Sequence, residues 1–458
     1  MKPKYFLALG LLVLGLGSCG ESFFEQYPSN NITEGNFYKT DDDFNQGVVA
    51  CYAKLKTQMS FHLTEIGYRG DENVLESMAV STQNRYDIDH FAETANNGIL
   101  NDIWNAWYNG IYRCNDVLDH MTGAKIANYD KYRGECLFLR SWWYFNLYRV
   151  FGVVPITRTV VTPAAAKLIP RCTEEEMYTL LTEDLAEAAR LLPPTPGPEK
   201  ARVANIAAYT LLAKVYLTFG KPGEAKTALE EAMKNTSYGL ESTTKKVFDV
   251  GNKMNREIIF ALYYNKTNDN GHGYWYSANT DVLADINNPT PTFKAIYDSE
   301  KDNRLPLISS YTKIKDNLFA MTKWYDTYDA TYTTQVGNDF PHLRYADVVL
   351  MYAEALAESG GSLGDALEWL NKTRTRAGLD ALKAEDIPSK GAFIEALADE
   401  RGREFALEGH RWFDLVRLGL ALDRFHEMGY KLDAHNLLFP IPQNQIEIVN
   451  DKTILLQN

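Results

Sequence analysis

The chain has 458 residues and a formal net charge of −13. That acidic balance excludes nucleic acid as a partner, because neutralising phosphates needs a basic face. The length exceeds what one compact core usually holds, unless helices stack so that each repeat packs only on its neighbours.

In chain order, the first element is an export signal. Lys2 and Lys4 precede an apolar run from Tyr5 to Leu16, shorter than the roughly 20 residues a spanning helix needs. Leu16-Gly17-Ser18 then supply small residues before Cys19. Residues 1–18 are expected to be removed, which takes away two lysines and no acids and leaves residues 19–458 at a net charge of −15. The sequence 19–458 reads as one domain.

Thr40 followed by Asp41, Asp42 and Asp43 predicts a capped helix to about Met59. Residues 60–97 lack a sustained period and are expected to be irregular and functional. Helices are predicted at Leu100–Met121, Tyr129–Phe151 and from Thr173 to Leu192, the last opened by the capping box Thr173–Glu176. The second carries Trp142 and Trp143 on an apolar surface that belongs in the core. Two pairs, Ala204–Phe219 with Pro222–Lys234 and Leu343–Ser359 with Leu363–Ala377, place small residues such as Ala213, Ala225, Ala353 and Ala366 where close helix contact needs them. The fold class is therefore mainly α: three or four tetratricopeptide-like helical hairpins, with long irregular loops and a few short strands. Between the pairs, residues 238–341 form a second irregular insertion rich in aromatics, with strands expected at Glu257–Tyr264 and Phe319–Tyr325.

The final helical block, Ser389–Leu407, puts Phe393, Leu397, Arg401 and Phe405 on one face. Glu400, Glu404 and Glu408 make a second stripe of like charges, which must be answered by the arginines or by another element. Gly409 interrupts this helix, and a shorter one restarts at Arg411.

Several segments resemble a known family. The run ER-x2-EF-x2-EG-x-RWFDL-x-R, from Glu400, is similar to a signature of the SusD/RagB nutrient-binding outer-membrane lipoproteins. Ile103–Asn115, Gly134–Pro155, Arg344–Ala355, Leu370–Leu379 and Phe439–Pro442 resemble its other segments in the same order. Cys19 ends a segment that resembles a lipobox. The resemblance implies that Cys19 is acylated and holds the protein on the outer membrane, exposed to the cell exterior. Several acyl chains anchor stably where one does not. It also implies a SusC-like TonB-dependent transporter as partner and an oligosaccharide or other small nutrient as ligand, some members being adapted to peptides.

No G-x-S-x-G, H-E-x-x-H or P-loop pattern appears, so no enzyme and no cofactor is expected. A surface glycoside hydrolase is the alternative, with Glu400 and Glu404 as its carboxylates. A sugar offers an apolar face to aromatic rings and a hydroxyl rim to polar side chains. Trp275, Tyr276, Trp324 and Tyr325 are therefore the expected platforms, and Asp71, Asn73 and Arg85 the expected hydrogen-bonding groups. Asp281, Asp285 and His272 read as loop or capping residues and no metal site is expected. Cys51, Cys114, Cys136 and Cys172 lack zinc-ligand spacing.

Overall fold

The computed structural model describes residues 37–74, 83–197, 199–265, 277–279, 288–315, 318–326 and 337–457. Cys19, Trp275 and Tyr276 lie outside them.

The scaffold is a stack of helices, each packed on the next. Helices α1 (Asp41–Gly67), α2 (Gln83–Asp89), α3 (Gly98–Met121), α4 (Tyr129–Phe151), α5 (Glu174–Leu191), α6 (Asn205–Thr218) and α7 (Pro222–Met233) precede the second insertion. Helices α8 (Tyr345–Glu358), α9 (Leu363–Arg376), α10 (Lys390–Glu404), α11 (Arg411–Arg417) and α12 (Ala421–Glu427) follow it. Packing runs from α1 to α3 and onward through α4, α5, α6, α7 and α8 to α9 and α10. The fold is mainly α, as expected. Among the described residues no helix is long and apolar enough to cross a membrane.

Local sequence explains the helix starts. Thr40 accepts from the Asp43 amide while Asp43 accepts from the Thr40 amide, and Thr173 with Glu176 repeats the arrangement. Helix α4 matches its predicted bounds, and its face toward α3 is tight. A β-carbon on Gly110 would sit 2.3 Å from Trp143 Cε2. Gly110→Ala is accordingly expected to cost about 1–3 kcal/mol through overpacking. A thermal melt checks this, and an unchanged midpoint would mean that the Trp143 ring can move aside.

Charge also ties the stack internally. Arg140 on α4 grips Asp184 on α5 with two bonds, at 2.8 and 2.9 Å. Cys51, Cys114, Cys136 and Cys172 are buried free thiols.

Three expectations need correction. Helix α1 does not stop near Met59 but runs to Gly67, because its buried stripe of Phe44, Val48, Cys51 and Leu55 is continued by Leu63 and Ile66. With α2 following, the stretch 60–97 is partly helical. The helix expected from Leu343 starts at Tyr345, since Leu343 and Arg344 belong to a strand. The strand expected over Phe319–Tyr325 ends at Met321 and gives way to a 3-10 turn, Thr322–Trp324.

The strands are β1 (Asn73–Val74), β2 (Ile258–Leu262), β3 (Ser277–Asn279), β4 (Asn288–Pro289), β5 (Tyr311–Lys315), β6 (Leu318–Met321) and β7 (Phe340–Arg344). Antiparallel β2 and β7 form one buried pair, and β3, β6 and β5 form a three-stranded sheet. The second pair, β1 with β4, joins the two insertions, with Asn73 opposite Pro289 and Val74 opposite Asn288.

Candidate functional site

The glutamate stripe is answered chiefly by other elements. Arg304 donates Nη1 to Glu400 Oε1 at 2.8 Å and to Glu404 Oε2 at 3.0 Å, and Nη2 to Asp302 Oδ2 at 2.8 Å. Arg344, the last residue of β7, donates Nη1 to Glu257 Oε1 at 2.8 Å and to Glu404 Oε1 at 2.6 Å. Its Nε reaches Glu408 Oε2 at 2.9 Å. Arg376 at the end of α9 holds Glu257 and Glu404, and Lys323 holds Glu408 at 2.7 Å. All of these side chains are buried. The lattice fastens the second insertion to α9 and α10.

The backbone serves the same end. Helix α10 ends at Glu404, and Leu407 and Gly409 take left-handed φ of 62° and 75° before α11 begins. Gly409 meets this at no steric cost. The elbow turns Glu408 back into the lattice and exposes the Leu407 amide to the carboxylate of Glu72, 3.3 Å away.

Burial alone would raise the Glu404 carboxyl, but Arg376, Arg344 and Arg304 more than offset it and hold it well below the ordinary range. Glu400 is likewise lowered, burial being outweighed by Arg304 and Arg403. A glycosidase acid needs a raised pKa and an open face, so these two carboxylates do not fill that role.

Other carboxyls shift the opposite way, with a consequence for pH. Burial pushes Glu72 up to about 8, and Glu65 and Glu135 up to about 7. Groups raised on folding stabilise below their unfolded pKa, and that contribution is lost as pH rises through the folded values. Glu400, Glu404 and Asp347, the last lowered to about 2, stabilise above their unfolded pKa and lose that as pH falls. Thermal stability is therefore expected to peak near about pH 5, to decline gently toward pH 8 and to drop steeply below about pH 4. Melting scans across that range check the shape, and a flat profile from pH 5 to pH 8 would contradict the raised group.

The predicted ligand residues divide into two sets. Asp71 is not free for a ligand: its carboxylate takes two bonds from Arg411, each 2.7 Å, in a buried pair. Its carbonyl accepts from Thr290 Oγ1 at 2.8 Å, so it anchors β1 against β4. Trp324 is corrected too. It is 1% exposed, edge-on to Phe248 at 5.1 Å and tilted against Phe340 at 6.4 Å, which leaves no open ring face to receive a sugar. The neighbouring Lys323 pulls this turn inward by donating to the Ala406 carbonyl at 2.5 Å.

Arg85 on α2 retains 22% side-chain exposure and donates to Glu65 at 3.1 Å. Tyr325 is half-buried directly after the Trp324 turn. The sheet register relates that turn to β3. Asn279 opposes Leu318, Ala278 opposes Phe319 and Ser277 opposes Ala320. The start of β3 therefore lies at the Met321 end of β6, from which the chain continues to Tyr325. Asn73 enters the same insertion network through the pairing of β1 with β4.

Comparison with known proteins places this arrangement. Residues 302–457 match the SusD family, and residues 27–217 match a family of that group described as "Starch-binding associating with outer membrane". The chain belongs to the SusD family. SusD-like protein P2 of Formosa agariphila is 25% identical over 99% of this chain and 99% of its own. A laminarin binding SusD-like protein has the same fold, with a TM-score of 0.76 at 24% identity over 92% of this chain and 99% of its own. So does surface glycan-binding protein A from Bacteroides thetaiotaomicron in complex with laminarihexaose, with a TM-score of 0.75 at 21% identity over 92% and 99%.

The two SusD-family matches leave 218–301 between them, the stretch that contains Trp275, Tyr276, β2, β3 and β4. Sequence reasoning missed the buried partners of the SusD signature, Glu257, Arg304, Arg344 and Arg376. Arg344 had a weak signal, a charge directly before an apolar helix.

Proposed function

We propose that this SusD-family chain is a cell-surface lipoprotein, anchored through acylated Cys19, which binds an oligosaccharide and passes it to a SusC-like TonB-dependent transporter. The observation that carries the reading is likeness over nearly the whole chain to SusD-like proteins, among whose folds is one in complex with laminarihexaose. Residues 19–458 act as one unit, with the helical stack as frame and the two insertions as ligand face.

Within that face Trp275 and Tyr276 supply flat apolar rings, with Tyr325 beside the strand end that leads to them. Asn73 and Arg85 supply polar contacts. Joining the insertions through β1 and β4 supports this, since it lets residues far apart in sequence serve one surface. Loops on a rigid frame can vary in ligand without altering the frame.

Calorimetric titration of laminarihexaose, malto-oligosaccharides, other glycans and short peptides into the mature chain tests the reading. Saturable binding of one glycan class supports it, peptide binding alone would move the ligand to that class, and binding of neither would overturn it. Co-purification from outer membranes tests the partner: recovery of no TonB-dependent transporter would remove the delivery step.

A further inference from the structure

A cavity of about 630 Å³ opens among scaffold helices α4, α6 and α11, and its lining includes Phe145, Tyr148, Arg149, Lys214, Phe413 and Leu438. No residue of either insertion lines it. Its volume falls in the range of small-molecule sites, and its walls combine aromatic and aliphatic side chains with charged ones, Arg149, Lys214, Asp414 and Arg417 among them.

The charges behind it do not balance. Lys214 pairs with Asp347. Arg401 pairs with Asp347 at 2.9 Å and with Asp414 at 2.8 Å. Arg417 pairs with Asp414 at 2.9 Å and with Glu354. Three carboxylates thus serve three cations. His410, stacked on Phe405 at 4.6 Å, adds no charge, because burial and then Lys214 push its pKa well below the ordinary value.

Arg149 is the fourth cation, and among the described residues it has no carboxylate partner. Its Nη2 donates to Asn146 Oδ1, and its Nε is buried without an acceptor. The guanidinium lies over Phe413 at 4.0 Å and Phe145 at 4.7 Å. Glu174 at the rim is engaged by the Tyr148 hydroxyl at 2.7 Å.

Arg149 is half-buried, with its Nε wholly so. A guanidinium drawn partly out of water is stabilised when an anion meets it, and its planar fork suits a carboxylate. We propose that this cavity is a second ligand site, which takes a small organic carboxylate with an apolar body, the carboxylate on Arg149 and the body against Phe145, Phe413 and Leu438. The site is independent of the oligosaccharide face.

Titrating phenylpropionate and its neutral analogue phenylpropanol into the mature chain tests it. The acid is expected to bind, and the alcohol to bind more weakly by about tenfold or more, as loss of a charged hydrogen bond implies. Arg149→Gln should abolish that preference. Val153 also lines the cavity, and Val153→Trp, which fills it and keeps the guanidinium, should abolish binding of both. Should Arg149→Gln fail to fold, the acid–alcohol comparison and Val153→Trp still decide. Equal affinity for acid and alcohol, acid binding undisturbed by Val153→Trp, or no acid binding at millimolar concentration would overturn the assignment.

Discussion

Arg344→Ala is expected to produce the largest loss of stability of any single change in the charge lattice, about 3–5 kcal/mol. One guanidinium there serves Glu257, Glu404 and Glu408 at once, and its plane also lies 4.3 Å from the Phe405 ring. Removing it leaves three carboxylates buried with too few cations, and no water can replace the lost bonds at that depth. A fall in melting midpoint of about 3–5 °C follows for a chain of this size. Arg344→Lys should recover only part of it, because a point ammonium cannot span three acceptors as a planar fork does. Thermal melts of both variants are the measurement, and a midpoint equal to wild type for Arg344→Ala would remove the lattice from its place as the main fastening. Binding per folded molecule should be unchanged, since none of the residues proposed to touch the ligand belongs to the lattice.

The second large effect is expected at Trp275, in the opposite observable. If its ring is a sugar platform, Trp275→Ala should weaken oligosaccharide binding by about tenfold or more, the scale of a buried aromatic contact at an interface. The melting midpoint should hold, because every contact described above stays in place. Trp324→Ala is the internal comparison. Its ring is packed against Phe248 and Phe340, so its loss should leave a cavity costing about 3–5 kcal/mol. Calorimetry and melting on the two variants separate the roles. An unchanged dissociation constant for Trp275→Ala would take that residue out of the site.

Those two tryptophans mark where sequence reading ended. Both sit in an aromatic-rich stretch without helical period, and nothing local distinguishes them. Trp324 is buried because Lys323 is drawn down to Ala406 and Glu408, more than 80 residues away in sequence. Asp71 is similar. A loop aspartate beside Gly70 reads as exposed, yet Arg411, 340 residues on, takes its carboxylate.

What lies within one turn or one helix was legible. The cap at Thr40, the capping box at Thr173, the bounds of α4, the elbow at Gly409 and the core placement of Trp142 and Trp143 follow from side chains three or four positions apart, whose geometry the backbone imposes. The stack of hairpins followed as well, because each helix meets mainly its neighbours in the chain.

By itself, then, the sequence determined the helical frame, its stacking and the need for something to neutralise Glu400, Glu404 and Glu408. The tertiary structure alone decided which arginines do so, that β1 and β4 join the two insertions, and that Arg149 has no carboxylate partner among the described residues. The reason is physical: helix periodicity and capping act over a few residues, whereas ion pairing and burial depend on distances in space between segments far apart in the chain.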